Sequence, residues 1–176
     1  MRTLSRDDAL NALKEVGCPQ NVIEHCIAVS RLALRIGRML KLMGFNVDLK
    51  LVEVGALLHD IGRAKTHDVT HGVVGAKLVR ELGFPESVAL IVERHVGAGI
   101  PADEAEKIGL PVKDYIPTTM EEKIVAYADK LIDGNSRVSM EETIQKFAKT
   151  LGPNHSAIRR LRVLHEEFVR MLGGEP

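Results

Sequence analysis

Apolar residues recur three and four positions apart along most of the chain, and capping residues, glycines and prolines separate the apolar stretches. No stretch alternates between apolar and polar residues for long enough to predict a convincing strand. The pattern therefore predicts an all-α fold, a bundle of about seven to nine helices. The predicted helices cover approximately residues 5–16, 21–44, 48–61, 71–82, 85–95, 102–108, 118–133, 139–151 and 153–172.

Side chains that can cap a helix precede most of these stretches, because Ser, Thr, Asp and Asn accept hydrogen bonds from the free N–H groups of the first turn. The predicted caps are Ser5, Asn21, Asp48, Thr70, either Thr118 or Thr119, and Ser139. A glutamate three residues after Asn21 and after Ser139 predicts a capping box at both positions. Pro153 is predicted to start the last helix.

One apolar helix ends abruptly in polar residues. The pattern predicts this helix over Leu51–Ile61, with Gly62 as its C-terminal stop. His59 then lies at the end of the helix, with Gly55–Ala56 one turn earlier on the same face, where small residues let a neighbouring helix approach closely. The adjacent Asp60 adds a carboxylate, and imidazole beside carboxylate suits a divalent transition metal. The alternative is a histidine that caps the helix beside a solvated aspartate.

Two further polar residues fall on apolar helix faces. His25 lies on the buried stripe of the long second helix, and Asp129 follows an apolar turn of a later one. Burying such groups costs free energy unless something pairs with them. One divalent cation would satisfy His25, His59, Asp60 and Asp129 together and leave about two of six octahedral positions for water or substrate. The alternative is two core histidines with hydrogen-bond partners and an aspartate paired with Arg or Lys.

Composition limits the other classes of function. The chain of 176 residues is predicted to be one domain, residues 1–176, with equal numbers of basic and acidic residues, 24 of each. Without a basic excess, and with four Phe, two Tyr and no Trp, a nucleic-acid partner is not expected. Cys18 and Cys26 are too few for a disulfide framework. Because there is no apolar stretch of ~18 residues and no signal-peptide core in the first eight, we expect a cytoplasmic protein without a membrane partner.

The ordered set His25, His59-Asp60 and Asp129, with Ile61-Gly62 after the doublet, resembles the HD-domain superfamily of metal-dependent phosphohydrolases, in its HDIG-type branch. The resemblance covers roughly residues 20–135 and leaves the C-terminal helices 139–172 outside the family-like core. It implies a helical core in which these four residues hold one divalent cation (Mn, Fe, Co, Zn, Ni or Mg). It also implies that metal-bound water attacks a phosphoester or phosphoanhydride.

Some members of that superfamily bind a second metal with two extra histidines, for which His71 and His95 are the candidates here. The resemblance is then to the two-metal branch that includes bacterial hydrolases of diadenosine tetraphosphate, with Asp60 as the bridging carboxylate and one or two ions per chain. The alternative is that His71 serves the first turn of its helix and His95 the C-terminal end of another. His67-Asp68 is a second doublet, but it falls in a polar loop and is rejected as the primary site, although a place at the pocket rim is possible. His155 and His165 are given no site.

Basic residues near the motif are candidates for a phosphate clamp: Arg63, Lys65, Arg94, Lys130 and Arg137. The alternative for each is surface solvation. We expect Asp60, Arg63 and Lys130 to be the catalytic residues, although no sequence feature assigns a general base. There is no Gly-Tyr-Pro triplet, so nothing supports the cyclic-dinucleotide branch that carries one.

The sequence therefore predicts a metal-dependent phosphohydrolase with a small phosphorylated substrate, and relatives suggest a nucleotide or dinucleotide. Two alternatives stay open: a regulatory module that binds a nucleotide without cleaving it, and a di-iron oxygenase, a chemistry that a few relatives of this fold perform. The helices after Ser139 are predicted to complete the core, to form a homodimer contact or to cover the pocket.

Overall fold

The computed structural model describes residues 4–176, and within them nine α-helices and one two-stranded hairpin. Residues 1–3, which belong to the predicted domain and to the stretch predicted to lack a signal peptide, lie outside the described residues. The first five helices are α1 (Arg6–Glu15), α2 (Gln20–Leu42), α3 (Leu49–Leu58), α4 (His71–Glu81) and α5 (Glu86–Arg94). The others are α6 (Ala102–Lys107), α7 (Met120–Asp129), α8 (Met140–Leu151) and α9 (Ser156–Leu172). The predicted all-α class is confirmed.

A short hairpin follows α7, where the sequence predicted that the helix continues to residue 133. Strand β1 (Ile132–Asp133) pairs antiparallel with β2 (Ser136–Arg137), and Gly134 turns the chain between them with a φ of +59°. Strands of two residues are too short to show an alternating pattern, so periodicity could not predict them. The hairpin matters because its turn lies against His25.

Four of the predicted N-terminal caps are confirmed. The side chains of Ser5, Asp48, Thr119 and Ser139 each accept a hydrogen bond from a backbone N–H of the following turn, and Ser139 forms the complete capping box with Glu142. These bonds satisfy donors that the helix itself leaves free.

Two predicted caps and one predicted helix start are wrong, although α4 begins at His71 as predicted. Helix α2 begins after Pro19 without a side-chain cap, so the box predicted at Asn21 does not form. Thr70 precedes α4, but its side chain makes no capping bond. The last helix begins at Ser156, three residues after Pro153, and the ring of His155 accepts the bond from the first turn. Pro19 sets an extended backbone of its own, which moves the helix start away from the polar side chain.

The long helix α2 lies at the centre of the molecule, against α3 and α7. The close approach predicted at Gly55 is found: a β-carbon on this residue would lie 2.6 Å from Cδ1 of Ile91 in α5. Helices α8 and α9 complete the core, since Leu161 and Phe168 are fully buried and the Phe168 ring stacks on Tyr127 with 4.3 Å between ring centroids. Among residues 4–176, none of the helices has the length and apolar character needed to cross a lipid bilayer.

Gly62 has a different role from the predicted helix stop. Helix α3 ends earlier, at Leu58, and Gly62 lies in a 3₁₀ turn over Ile61–Ala64. A β-carbon at Gly62 would lie 1.9 Å from the carbonyl oxygen of His71 and 2.8 Å from the backbone nitrogen of Gly75. Glycine is therefore required because the first turn of α4 packs directly on this backbone, and that contact positions His71.

Candidate metal centre

Six polar side chains from five helices converge inside the bundle. His25 comes from α2, His59 and Asp60 follow the last turn of α3, His71 opens α4, His95 follows α5 and Asp129 ends α7. The structure thus brings together all six residues that the sequence predicted as metal ligands. His59, Asp60, His71 and His95 are buried, and the side chains of His25 and Asp129 are 16% and 11% exposed.

Each of the four histidines has its Nδ1 atom 2.7 Å from a backbone carbonyl oxygen, and the four carbonyls belong in order to Gly134, Ala56, Asp68 and Val92. A carbonyl oxygen only accepts, so the proton of each neutral ring must be on Nδ1. The Nε2 atom of every neutral ring then carries a lone pair, and all four Nε2 atoms face the cluster. Backbone carbonyls hold metal-binding histidines in this way in many proteins.

Three side chains of the cluster, those of His25, His59 and Asp129, place hydrogen-bond acceptors against one another. Nε2 of His25 is 3.0 Å and Nε2 of His59 is 3.4 Å from Oδ1 of Asp129, and these atoms carry lone pairs rather than hydrogens. Nε2 of His59 is buried without a hydrogen-bond partner. A cation between these atoms would remove the conflict, and the three ligand atoms lie within 4.8 Å of one another, as a shared ion requires.

The Asp60 carboxylate lies between this group and a second one. Its Oδ1 atom is 3.2 Å from Nε2 of His71 and 3.4 Å from Nε2 of His95, while its Oδ2 atom faces His59 at 3.9 Å. The two Nε2 atoms of His71 and His95 are 3.1 Å apart. The carboxylate thus presents Oδ1 to His71 and His95, and Oδ2 to His59. A carboxylate shared by two ions requires its two oxygens to face different groups of ligands in this way.

Both carboxylates are held in the charged form. Burial raises the pKa of Asp60, but the neighbouring His59, His71 and His95 outweigh burial and hold it well below the usual value. Burial likewise raises the pKa of Asp129, and Lys130 together with the cluster histidines lowers it well below its usual range. Both aspartates are therefore ionised over the ordinary pH range and available to a cation.

The two most buried histidines, His59 and His95, have pKa values that are shifted in opposite directions. Burial lowers the pKa of His95 to about 4, which keeps this ring neutral, as a metal ligand must be. Burial also lowers the pKa of His59, but Cys26 and the two carboxylates raise it to well above its ordinary value. In the absence of any other cation the cluster thus attracts a proton to His59, which reflects its negative potential.

Two of the five predicted phosphate-clamp residues lie at the cluster. Nε of Arg63 donates to Oδ2 of Asp60 at 2.8 Å, and the ammonium of Lys130 pairs with the Asp129 carboxylate. Both side chains line a pocket of about 770 Å³, whose floor is formed by the cluster residues other than the fully buried His59.

The other three clamp candidates lie elsewhere. Arg94 binds the buried Glu122 and the Thr118 hydroxyl, and Arg137 donates to the carbonyl oxygen of Pro176. Lys65 is exposed and is not among the residues that line the pocket. The surface-solvation alternative fits the exposed Lys65. Arg94 and Arg137 are held by tertiary partners that a single sequence does not reveal.

The second doublet supports the cluster from outside. The Asp68 carbonyl accepts the Nδ1 hydrogen of His71, while its carboxylate accepts from Thr70. His67 lies in the same loop and its carbonyl accepts from Arg63. The loop therefore orients His71 and Arg63, and His67 is not among the cluster residues.

The far wall of the pocket consists of residues that the sequence did not single out. These residues come from α6, α8 and α9 and include Glu104, Lys107, Lys146, Phe147, His155 and Arg160. Of the two C-terminal histidines, His155 lines this wall, whereas His165 bonds the buried Tyr127 hydroxyl. The amphipathic pattern of α8 was the available signal, but a pattern does not show which apolar residues border a cavity.

Comparison with known proteins identifies relatives of the chain. The sequence profile of the HD domain matches residues 22–133. An uncharacterized protein of Methanocaldococcus jannaschii is 53% identical, over 94% of this chain and 98% of that protein. A tRNA (cytidine(56)-2'-O)-methyltransferase of Picrophilus torridus is 40% identical over 95% of this chain, and a ribonuclease Y of Acidothermus cellulolyticus is 32% identical over 74% of it. The chain spans 47% of the length of the methyltransferase and 23% of that of the ribonuclease.

Among solved structures, the chain is similar to the HD domain of the phosphodiesterase PgpH of L. monocytogenes in complex with cyclic-di-AMP, with a TM-score of 0.56. The alignment covers 93% of this chain and 95% of that one, at 16% sequence identity. At this level of identity the match shows the fold alone.

Proposed function

The chain belongs to the HD-domain family, and we propose that it is a metal-dependent phosphohydrolase that cleaves a phosphoester or phosphoanhydride of a nucleotide. The observation that carries this proposal is the fixed tautomer of the four histidines, each with its Nδ1 hydrogen bound to a backbone carbonyl. Four imidazole lone pairs aimed at two ionised carboxylates repel one another, and a bound divalent cation would remove this repulsion.

The donor set indicates how the ions are held. His25, His59, Asp60 and Asp129 would hold one divalent cation, and His71 and His95 would hold a second one, with Asp60 shared between them. Four nitrogen and two carboxylate ligands favour Mn, Fe, Co, Ni or Zn over Mg, which prefers oxygen ligands. When bound, such ions lower the pKa of water toward neutrality and polarise a phosphoryl oxygen.

The remaining chemistry falls to two cations of the chain. Arg63 and Lys130 flank the cluster from opposite carboxylates and both line the pocket. Once Asp60 and Asp129 bind the divalent cations, the side chains of Arg63 and Lys130 can turn to the phosphate of the substrate. Arg63 can then donate two parallel hydrogen bonds to it, and Lys130 contributes a compact positive charge. Both groups would stabilise negative charge that develops on the phosphoryl oxygens.

A nucleotide substrate is supported by the names of relatives. The PgpH domain was solved with cyclic-di-AMP, and ribonuclease Y and the tRNA methyltransferases are named for RNA substrates. Methyl transfer itself is not proposed here, because the chain aligns with less than half of the methyltransferases' length. A pocket of about 770 Å³ is within the range of small-molecule sites and admits a nucleotide.

The proposal is tested by hydrolysis with the metal-loaded chain. The panel contains bis(p-nitrophenyl) phosphate, a cyclic dinucleotide, a dinucleoside polyphosphate and short RNA, each with Mn, Fe, Co, Ni or Zn. We expect Asp60→Asn to lower metal-dependent kcat/KM by about 1,000-fold, since the carboxylate is shared by the whole cluster. His67→Gln, which changes the histidine of the second doublet, should stay within about twofold of the unchanged chain.

Retained turnover in Asp60→Asn would contradict the proposal. Tight nucleotide binding without product in the wild type would favour the regulatory module instead. Product that requires iron and dioxygen would favour the oxygenase.

A further inference from the structure

Helix α8 contributes one face to the pocket although it lies beyond the part of the chain that matches the HD domain, residues 22–133. Thr143, Lys146, Phe147 and Leu151 line the pocket, and their spacing places them along one side of the helix. The hydroxyl of Thr143 donates to the carbonyl of Lys130, which follows the cluster residue Asp129. The α8 face is thus fixed relative to the candidate metal centre.

Phe147 is the aromatic side chain of this face, and it lies against the segment that follows the cluster residue His95. Its Cε1 atom is 3.9 Å from the point that a β-carbon on Gly97 would occupy, and Gly97 is two residues after His95. The ring is half-buried and borders the pocket. A substituent on a phosphate held at the cluster would meet this ring as it leaves the centre.

The rest of the wall combines apolar and polar groups. Ile100 and Ile108 add apolar surface, while Glu104, Lys146 and Arg160 add charged groups. Arg160 donates two hydrogen bonds to the Glu104 carboxylate, at 2.8 and 2.5 Å, and a third to the carbonyl of Gly99, so this wall is held in place. A lipid chain would cover these polar groups without pairing them. A nucleobase has an apolar face for stacking and a polar edge for hydrogen bonds, which matches the mixed lining.

We propose that Phe147 forms the stacking wall of a nucleobase subsite, so that α8 makes the pocket selective for nucleotides over phosphoesters without a base. This inference rests on the proposed function, because it assumes that the phosphate lies at the cluster. It assigns substrate selectivity to a helix outside the family-matched residues.

The test compares the binding of AMP and of ribose 5-phosphate to the metal-loaded chain by isothermal titration calorimetry. The two ligands carry the same phosphate and differ by the base. We expect AMP to bind about 10-fold more tightly than ribose 5-phosphate, because stacking of one base on an aromatic side chain supplies a difference of this size. Phe147→Leu should reduce the ratio to about twofold or less by weakening AMP alone, whereas Phe147→Tyr, which keeps the ring, should preserve it.

Phe45→Leu is the matched control, since Phe45 is also half-buried and packs against the same core as Phe147, but it does not line the pocket. Its ratio should equal that of the wild type. An unchanged ratio in Phe147→Leu, or an equal loss in Phe147→Tyr, would overturn the inference. If the wild type hydrolyses nucleotides but binds both ligands equally, the subsite is wrong and the phosphohydrolase stands. If the preference for AMP depends on Phe147 but no metal-dependent hydrolysis is found, the subsite stands and the phosphohydrolase proposal is wrong.

Discussion

The tautomers of four histidines are fixed by backbone carbonyls, and three of these carbonyls lie only three residues before the histidine that they bind. His59, His71 and His95 therefore owe their orientation to the local backbone at a helix end. His25 differs, because its partner is the carbonyl of Gly134, more than a hundred residues later in the chain. The position of this one ring thus depends on the hairpin after α7.

Gly62 offers a prediction at the residue scale. Gly62→Ala places a methyl group 1.9 Å from the His71 carbonyl, and backbone atoms cannot move aside cheaply. We expect a loss of stability of about 3 kcal/mol or more, together with weaker metal binding, as α4 and His71 are displaced. Urea unfolding and metal titration measure the two effects.

Gly174→Ala is the control for that variant, because a β-carbon at Gly174 meets no atom within 4 Å. Its unfolding midpoint and metal affinity should match those of the wild type. A Gly62→Ala variant as stable as Gly174→Ala would show that the first turn of α4 tolerates displacement.

Sequence reasoning predicted four of the six cluster residues from their order and helical spacing, and it took His71 and His95 from the family resemblance. It assigned Gly62 a role as helix stop, since glycine after an apolar helix usually ends it. The actual reason, close packing of a segment nine residues later, is tertiary and leaves no local pattern. The same limit applies to Arg94 and Arg137, whose partners were set by packing rather than by the motif.

At the scale of helices, the sequence predicted most of the side-chain caps, but it did not predict the features that depend on tertiary contacts. Ser139 with Glu142 forms its capping box because both partners are local. The start of α9 was missed because His155, rather than a residue before Pro153, caps the helix that begins at Ser156, and few histidines serve as caps. The contact between α6 and α9 through Glu104 and Arg160 joins segments more than fifty residues apart and was likewise beyond any periodic signal.

That contact makes stability depend on pH. The bonds from Arg160 lower the pKa of Glu104 from 4.5 to about 2. Because the folded-state pKa is depressed, the pair stabilises the protein fully above pH 4.5, and this contribution is lost as pH falls toward 2. We expect Glu104→Gln to cost about 1 kcal/mol at pH 7 and at pH 5, a modest amount because solvent screens the pair, and to cost less at pH 3.

Urea midpoints of wild type and variant at pH 7, 5 and 3 measure this difference. Glu106→Gln is the control, since Glu106 lies on the same helix with an exposed side chain. Its difference from wild type should be small at every pH. A difference for Glu104→Gln that stays constant between pH 7 and pH 3 would contradict the ion-pair account.

At the scale of the whole molecule, the pocket joins the HD-domain helices to the C-terminal pair. The motif lies within residues 22–133, while α8 and α9 supply the opposite wall and part of the core. Of the three roles left open for these helices, completing the core and bordering the pocket are both observed. The family resemblance could predict the helices around the motif, but it contains nothing about the wall that α8 and α9 supply.

Metal removal should destabilise the folded chain as a whole, because the ligands come from five helices that separate on unfolding. A ligand at about 100 times its Kd adds about 2.7 kcal/mol to the free energy of unfolding. For a chain of this size EDTA should then lower the Tm by about 5–10 °C. Asp60→Asn should lose most of this response, and His67→Gln should keep it. An equal EDTA response in Asp60→Asn and wild type would place the metal elsewhere.

The most direct test of the central claim is the metal content of the chain, measured by elemental analysis after loading with Mn, Fe, Co, Ni or Zn and removal of free ions. We expect the candidate metal centre to hold about two ions per wild-type chain, about one after His71→Gln, and close to none after Asp60→Asn. A wild-type chain without bound metal under all of these conditions would contradict this expectation, since the four converging histidines would then need another explanation.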